Sequence, residues 1–490
     1  MRTFACTHPR GLFDSSSDIG AAGCAGKSIF DPSDESYRIS GGGENVWWNV
    51  DAFHFHHRKM RGDLIADCAL EWIGDGLIAH RKAGIMIRES LDADARMVIA
   101  VLHGDGLTSL QIRRETGGKT ETMDAPAGPL PVMRLSLEQG KVRVLAATKN
   151  NPLAGVAETE IDFAGKEYYA GLFVCSHKAG KLEEAIFRNV RLTVPVPAQA
   201  GKNAPMCSRV EILELKTGVR RIIHESQRHF EAPNWSQDGK YLVLNSDGSL
   251  FRIPIDSGIP EKIDTGFADK NNNDHGISPD GKTLIISHKA VSQYGEEGSV
   301  IHTVPMTGGT PTVVTAHAPS YWHGISPDGN WLVYVAKRDA KETFNVFSIA
   351  TSGGDEARLT AYPAHHDGPE YSVDGKWIWF NSNRSGTMQL WKVKADGSDA
   401  RQITYDSWQN WFPHPSPDGK WVIFLSYPPE VPSQMHPANK HVMLRIMPAS
   451  GGIPIVVAHL YGGQGTINVA SWSPDSSYVA LVSYTAPLFE

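Results

Sequence analysis

The sequence predicts an all-β protein in two parts, a β-sandwich over residues 1–195 and a six-bladed β-propeller over 208–490, with a linker at 196–207. Three observations carry this reading. A short motif recurs six times in the second part, the two ends of that part complement one another as half-blades, and the first part shows strands without helical period.

In the first part the strand-forming runs are LIADCALEWI, AGIMIRES, RMVIAVLHG, TSLQIRRE, MRLSLEQGKVRVLAAT, YYAGLFVCSH and EAIFRNVRLTV, separated by turns such as His103-Gly-Asp-Gly106 and Thr116-Gly-Gly118. Alternating runs of this length between Gly and Asp turns argue a sandwich. Val194 to Met206, VPVPAQAGKNAPM, is rich in Pro, Ala and Gly and has no apolar period, as expected of a linker.

The repeats are NWSQDGKYLVL, GISPDGKTLII, GISPDGNWLVY, EYSVDGKWIWF, HPSPDGKWVIF and SWSPDSSYVAL, with aspartates at 238, 280, 328, 374, 418 and 475. Each reads as a strand, a tight turn and a second, alternating strand. A further strand, a second turn such as Gly308-Gly309 or Asp396-Gly397, and a closing strand complete four strands per repeat, which is one propeller blade. The last repeat supplies only two strands. RVEILEL and GVRRIIHE, ahead of the first repeat, supply the missing pair.

Composition bounds the function. Forty-seven basic residues against 54 acidic ones give a net charge of −7, without a Lys/Arg run that neutralises several phosphates, so nucleic acid is not an expected partner. No stretch approaches the length of a bilayer-spanning helix, and MRTFACTHPRGLFD lacks a signal-peptide core, so membrane insertion is not expected and the chain reads as cytoplasmic; removal of a leader would make it periplasmic. The five cysteines follow no CxxC spacing and read as buried thiols. No GxSxG, P-loop, HExxH or Rossmann fingerprint occurs.

The repeats resemble the TolB-like, or PD40, propeller repeat over about 280 residues. That resemblance implies six blades and leaves the chemistry open, since the fold serves periplasmic scaffolds, peptidase gates and polysaccharide lyases alike. YRISGGGENVWWNVDAFHF, KAGIMIRES and FRNVRLTV, in that order, resemble the concanavalin-like jelly-roll domains of bacterial carbohydrate-active proteins over about residues 30–195. That implies a concave sheet that holds sugar or packs against a neighbour.

Residues just before each SPDG-like turn start the innermost strand and converge on the propeller channel. Here they are polar: FEAPNW, NNNDHGI, PSYWHGI, HHDGPEY, QNWFPHP and GQGTINVASW. His275, His323, Glu370, His414 and Asp367 are the candidate catalytic groups, and His275, His323 and His414 the candidate ligands of a divalent metal. The competing reading makes these histidines structural hydrogen-bonding groups. Tyr321, Trp322, Asn410, Trp411, Asn272, Gln464 and Asn468, with Asn273, form a candidate lining for a hydroxyl-rich ligand. The insertion PEVPSQMHPANKH, 428–441, is a long loop or a lid. In the sandwich, Trp47, Trp48, Asp51, His54 and His56 form a polar-aromatic cluster opposite Phe53 and Phe55, and His56-His57-Arg58-Lys59 reads as a solvated turn.

The expectation is a carbohydrate-active protein that cleaves an oligosaccharide or modified glycoside at the propeller mouth. A metal-assisted lyase needs a base and a cation to stabilise an enolate. Propeller lyases acting on oligogalacturonate are similar in using histidines and a metal, although their histidine motifs do not align cleanly with these. A hydrolase using Glu370 with Asp367 or Asp274, and a non-catalytic module that recognises protein or glycan, are the alternatives.

Overall fold

The computed structural model describes residues 9–74, 76, 78–163, 165–197, 206–339 and 343–488. Its regular structure is β throughout, and the contacts divide the chain into two compact units. Most of the expected linker, residues 198–205, lies outside the described residues.

The unit drawn from the first 205 residues contains two seven-stranded antiparallel sheets. One runs in the order Ser15–Ile19, Phe53–Arg61, Glu167–Cys175, Lys82–Arg88, Met97–His103, Thr108–Arg113, Glu121–Asp124. The other runs Ala154–Glu160, Lys141–Ala147, Val132–Glu138, Leu64–Ile73, Glu183–Thr193, Ser36–Gly41, Lys27–Asp31. Alternation along the strands buries one row of each sheet in a shared core that includes Ile85, Ile87, Ala100 and Leu172 from the first and Leu64, Ala66, Leu135 and Phe187 from the second. The opposite row of the first sheet is buried too: Phe53, Phe55, Met86, Ile99 and Phe173 pack with Ile19, Val46, Leu91 and Ala93.

This packing changes the reading of the polar-aromatic cluster. Asp51 is fully buried and accepts two hydrogen bonds from Arg113, at 2.8 and 2.6 Å, with Arg88 3.6 Å away. Its carboxylate is therefore part of a buried ion triad. His54 bridges Asp18 and Ser28, and His56 lies against Phe13 and Tyr37 in the core. The expected turn at residues 56–59 lies inside the strand Phe53–Arg61, with His57 buried. Trp48 alone among these large side chains is well exposed, at 63%.

The second unit is the propeller. Five four-stranded blades follow in chain order, beginning at Glu231–Trp235, Asn271–Ile277, Ser320–Ile325, His366–Tyr371 and Gln409–Pro415. The sixth is closed between distant segments, in the order Arg220–Ser226, Cys207–Glu214, Tyr478–Thr485, with Trp472 bridging to Val479. The repeat motif builds the same turn each time. At the second, Ser278 Oγ donates to Asp280 Oδ1 at 2.6 Å, the amides of Lys282 and Thr283 donate back to Asp280 and Ser278, and Gly281 takes a φ of 72°. The aspartates of all six motifs are thereby committed to turns. Trp235 and Trp472 are core residues, as expected of blade strands.

Candidate functional site

Regular pairing fails once in each of the first five innermost strands. The register shifts fall between Glu231 and Asn234, Asn271 and His275, Trp322 and Gly324, Asp367 and Glu370, and Trp411 and His414. A bulge re-aims the side chains beside it, so neighbouring residues of one motif face different surroundings. Asp367 shows the device: Gly368 takes a φ of 57° and its amide donates to Asp367 Oδ1 at 2.8 Å. A Cβ on Gly368 would stand 3.0 Å from Asn381 Oδ1 and from the Phe412 ring.

The re-aimed side chains line a cavity of about 250 Å³ within the propeller. Asn272, Asn273 and Asp274 come from the second blade, Tyr321, His323, Val335 and Phe344 from the third, His365 and Asp367 from the fourth, Phe412 and His436 from the fifth, and Gln464 and Asn468 from the segment entering the sixth. His323 Nε2 lies 3.0 Å from Asp367 Oδ1, while His365 and His436 approach the other oxygen of Asp367 at 3.8 and 3.7 Å. His436 is supplied by the insertion at 428–441 and is held by Gln464.

Electrostatics sets the two carboxylates apart. Burial raises Asp274 to about 6, with His323 opposing and Asp367 adding to that rise. Burial acts on Asp367 in the same sense, but the hydrogen bond from His323 and the nearby imidazoles of His365 and His436 outweigh it and hold Asp367 well below the usual range. His323 resists charging because it is buried, yet the fields of Asp274 and Asp367 raise its pKa above the ordinary imidazole value. Carboxylates pushed in opposite directions around one imidazole are the pattern of an acid–base site.

Of the sequence candidates, His323, Asp367, Tyr321, Asn272, Asn273, Gln464 and Asn468 share this cavity. The others do not line it. His275 is fully buried and donates from Nε2 to the Val243 carbonyl at 3.2 Å, and burial lowers its pKa to about 4. His414 is held between Glu370 Oε2, 2.6 Å from Nδ1, and the Ile467 carbonyl, 2.5 Å from Nε2. Glu370 is thus spent on His414, not offered to the cavity. The proposed ligand set His275, His323 and His414 is split among three environments, and among the described residues no group of three His, Cys, Asp or Glu side chains is placed to hold a metal ion.

Two tryptophans and an asparagine also fall in the interior. Trp322 is 2% exposed and packs in the core beside Gly276, where a Cβ would stand 2.0 Å from the indole. Trp411 is fully buried, with His436 and His365 at ring separations of 4.5 and 5.8 Å, so it backs the cavity's histidines. Asn410 ties Ser426 and Arg445 of its own blade to Gln389, Thr404 and Asp406 of the preceding blade and its exit loop. His365 and His436 were missed as site groups. His365 opens the flagged segment HHDGPEY but was not singled out as a site group, whereas His436 lies outside the repeat, in the insertion at 428–441.

The architecture defines a six-bladed propeller with a polar cavity at the convergence of its inner strands. Residues 300–436 match the TolB β-propeller domain, PD40. An uncharacterised protein of Agrobacterium fabrum is 45% identical over 293 residues, covering 60% of this chain and 97% of that protein. A solved Agrobacterium tumefaciens structure, provisionally named TolB, is 47% identical with a TM-score of 0.54, covering 57% of this chain and 98% of that one. An uncharacterised peptidase of Bacillus subtilis is 25% identical over 195 residues, 37% of this chain and 26% of its own length. The chain belongs to the TolB-like β-propeller family.

Proposed function

We propose that this is a carbohydrate-active protein that cleaves a glycosidic bond at the propeller cavity by acid–base chemistry, with His323 transferring the proton and Asp367 orienting and charging it. The observation that carries this is the 3.0 Å His323–Asp367 pair facing a cavity whose lining adds the Asp274 carboxylate, four side-chain amides and several rings. Amides bind hydroxyls, and the faces of Tyr321, Phe344 and Phe412 suit the apolar faces of sugar rings. A charged imidazole donates a proton to the departing oxygen, water adds at the anomeric carbon as the C–O bond breaks, and the proton it sheds recharges the ring beside Asp367. The proposed chemistry uses protein groups and water only. Within it, hydrolysis is favoured over elimination, because among the described residues the lining contains no Lys or Arg to meet a uronate carboxylate.

The first unit is proposed as a concanavalin-like jelly roll, on the strength of its two stacked seven-stranded sheets. No helix among the described residues is long and apolar enough to cross a membrane. We favour the periplasm over the cytoplasm, in keeping with the scaffolds that share this propeller, and cell fractionation tests it.

Incubation with an oligosaccharide panel in ¹⁸O-labelled water tests the activity. A hydrolase leaves a saturated product carrying solvent oxygen, and a lyase leaves an unsaturated one. Ligand binding without product would make the propeller a recognition module.

A further inference from the structure

The cavity's charges are unevenly paired. All three imidazoles of the lining gather on Asp367. Asp274 is 5% exposed, lines the same cavity, and receives one side-chain hydrogen bond, from Asn272 Nδ2 to Oδ2 at 2.6 Å. Among the described residues no Lys, Arg or His forms an ion pair with it; His323, the nearest source of positive charge, is hydrogen-bonded to Asp367 instead. Beside it the amide nitrogen of Asn273, buried and lining the cavity, has no hydrogen-bond partner. A buried carboxylate that shares its one nearby imidazole with a second carboxylate remains undercompensated, and a ligand cation would supply the missing charge.

We infer that the cavity recognises an amine-bearing sugar, its protonated amine pairing with Asp274 and facing the neighbouring aromatic rings; this rests on the carbohydrate reading of the same cavity. A primary ammonium brings the donors that the free oxygen of Asp274 lacks, and it is attracted to ring faces such as those of Tyr321 and Phe344, whose centroids lie 5.8 Å apart. A uronate would set a third carboxylate beside Asp274 and Asp367. The acidity of the neighbourhood agrees: burial, reinforced by Asp274 and Asp247, raises Glu231 to about 7.

Calorimetry on the full chain at neutral pH, with glucosamine oligomers, their N-acetylated counterparts, neutral cello-oligomers and oligogalacturonates of equal length, tests this. Glucosamine oligomers are expected to bind about tenfold tighter than the N-acetylated and neutral series, the scale of one charge-assisted contact, and oligogalacturonates not to bind. Asp274→Asn is expected to remove that preference. Neutral and N-acetylated oligomers binding as tightly as the amines would overturn the inference and leave the carbohydrate reading standing. Uronides binding more tightly, or a folded Asp274→Asn variant that keeps the preference, would also overturn it. If no sugar binds at millimolar concentration, both readings fall. Should the variant not fold, the comparison of amine with N-acetylated ligand on the unaltered chain decides.

Discussion

Trp322 stands where the sequence suggested a sugar-stacking ring, and its burial makes the opposite prediction. The indole is 2% exposed, and the space above Gly276 that a methyl would occupy is filled by its ring, at 2.0 Å. Trp322→Ala should therefore cost about 3–5 kcal/mol of propeller stability through lost burial and a residual cavity. Gly276→Ala in the unaltered chain forces a methyl into the indole and should cost about 1–3 kcal/mol. In the Trp322→Ala background the same methyl enters vacated space, and its cost should fall to about zero. The two changes are thus coupled by about 1–3 kcal/mol. Differential scanning calorimetry of the four chains measures this, with the propeller transition followed separately because two units need not unfold together. Additive effects would refute the packing argument. So would a Trp322→Ala variant that keeps its Tm while losing ligand affinity, since that would return the ring to the binding surface.

Asp367→Asn removes the carboxylate hydrogen-bonded to His323, one of the two that charge it, and turnover of the cleaved glycoside is expected to fall by about 10²–10⁴, the usual range for general acid–base catalysis; an unchanged rate would remove the dyad from the mechanism. Gly368→Ala places a side chain at φ 57° against Asn381 and Phe412, so Tm should drop, by an amount equivalent to about 1–2 kcal/mol, with activity falling further than stability because Asp367 is displaced. His275 has a folded pKa of about 4, below its unfolded value of 6.5, so its contribution is present above pH 6.5 and lost as pH falls toward 4. At about 1.4 kcal/mol per unit that contribution reaches about 3 kcal/mol, and a propeller Tm that is flat between pH 7 and 4.5 would contradict it. Asp51→Ala leaves Arg113 and Arg88 buried without their counter-charge and should cost the first unit about 3–5 kcal/mol, read as a shift of its transition alone.

The propeller was legible because its signal is local and repeated: the Ser-x-Asp-Gly turn fixes its hairpin with groups no more than five residues apart. The half-blades at 208–224 and the last repeat were legible as complements, since a ring leaves no other partner for them. In the first part the long apolar strands were visible, whereas Ser15–Ile19, Lys27–Asp31 and Ala154–Glu160 were not, being polar and largely exposed strands whose pairing is decided by neighbours. The site was half legible. Sequence register placed His275 and His323 together because both precede Gly-Ile-Ser-Pro-Asp-Gly, yet one faces the Val243 carbonyl and the other the cavity. The register shift falls between Asn271 and His275 in one strand and between Trp322 and Gly324 in the other, so equivalent positions of the repeat are aimed differently. His436 was hidden for the opposite reason: its loop belongs to no repeat, so its reach to Asp367 is a tertiary fact.

The closure of the ring also orders events during synthesis. Ser483 donates to Glu211 across 272 residues of chain, and the strand Tyr478–Thr485 pairs with one that leaves the ribosome long before it. Each of the five regular blades is built from contiguous strands that can pair locally, but Cys207–Glu214 has no inner neighbour until Tyr478–Thr485 has been made. Until then the nascent propeller is an open arc with an unpaired strand edge at each end, the condition in which chaperones are needed and strand exchange between chains begins. Stop codons a few residues upstream of Tyr478 should therefore yield aggregated protein, not a shortened soluble one.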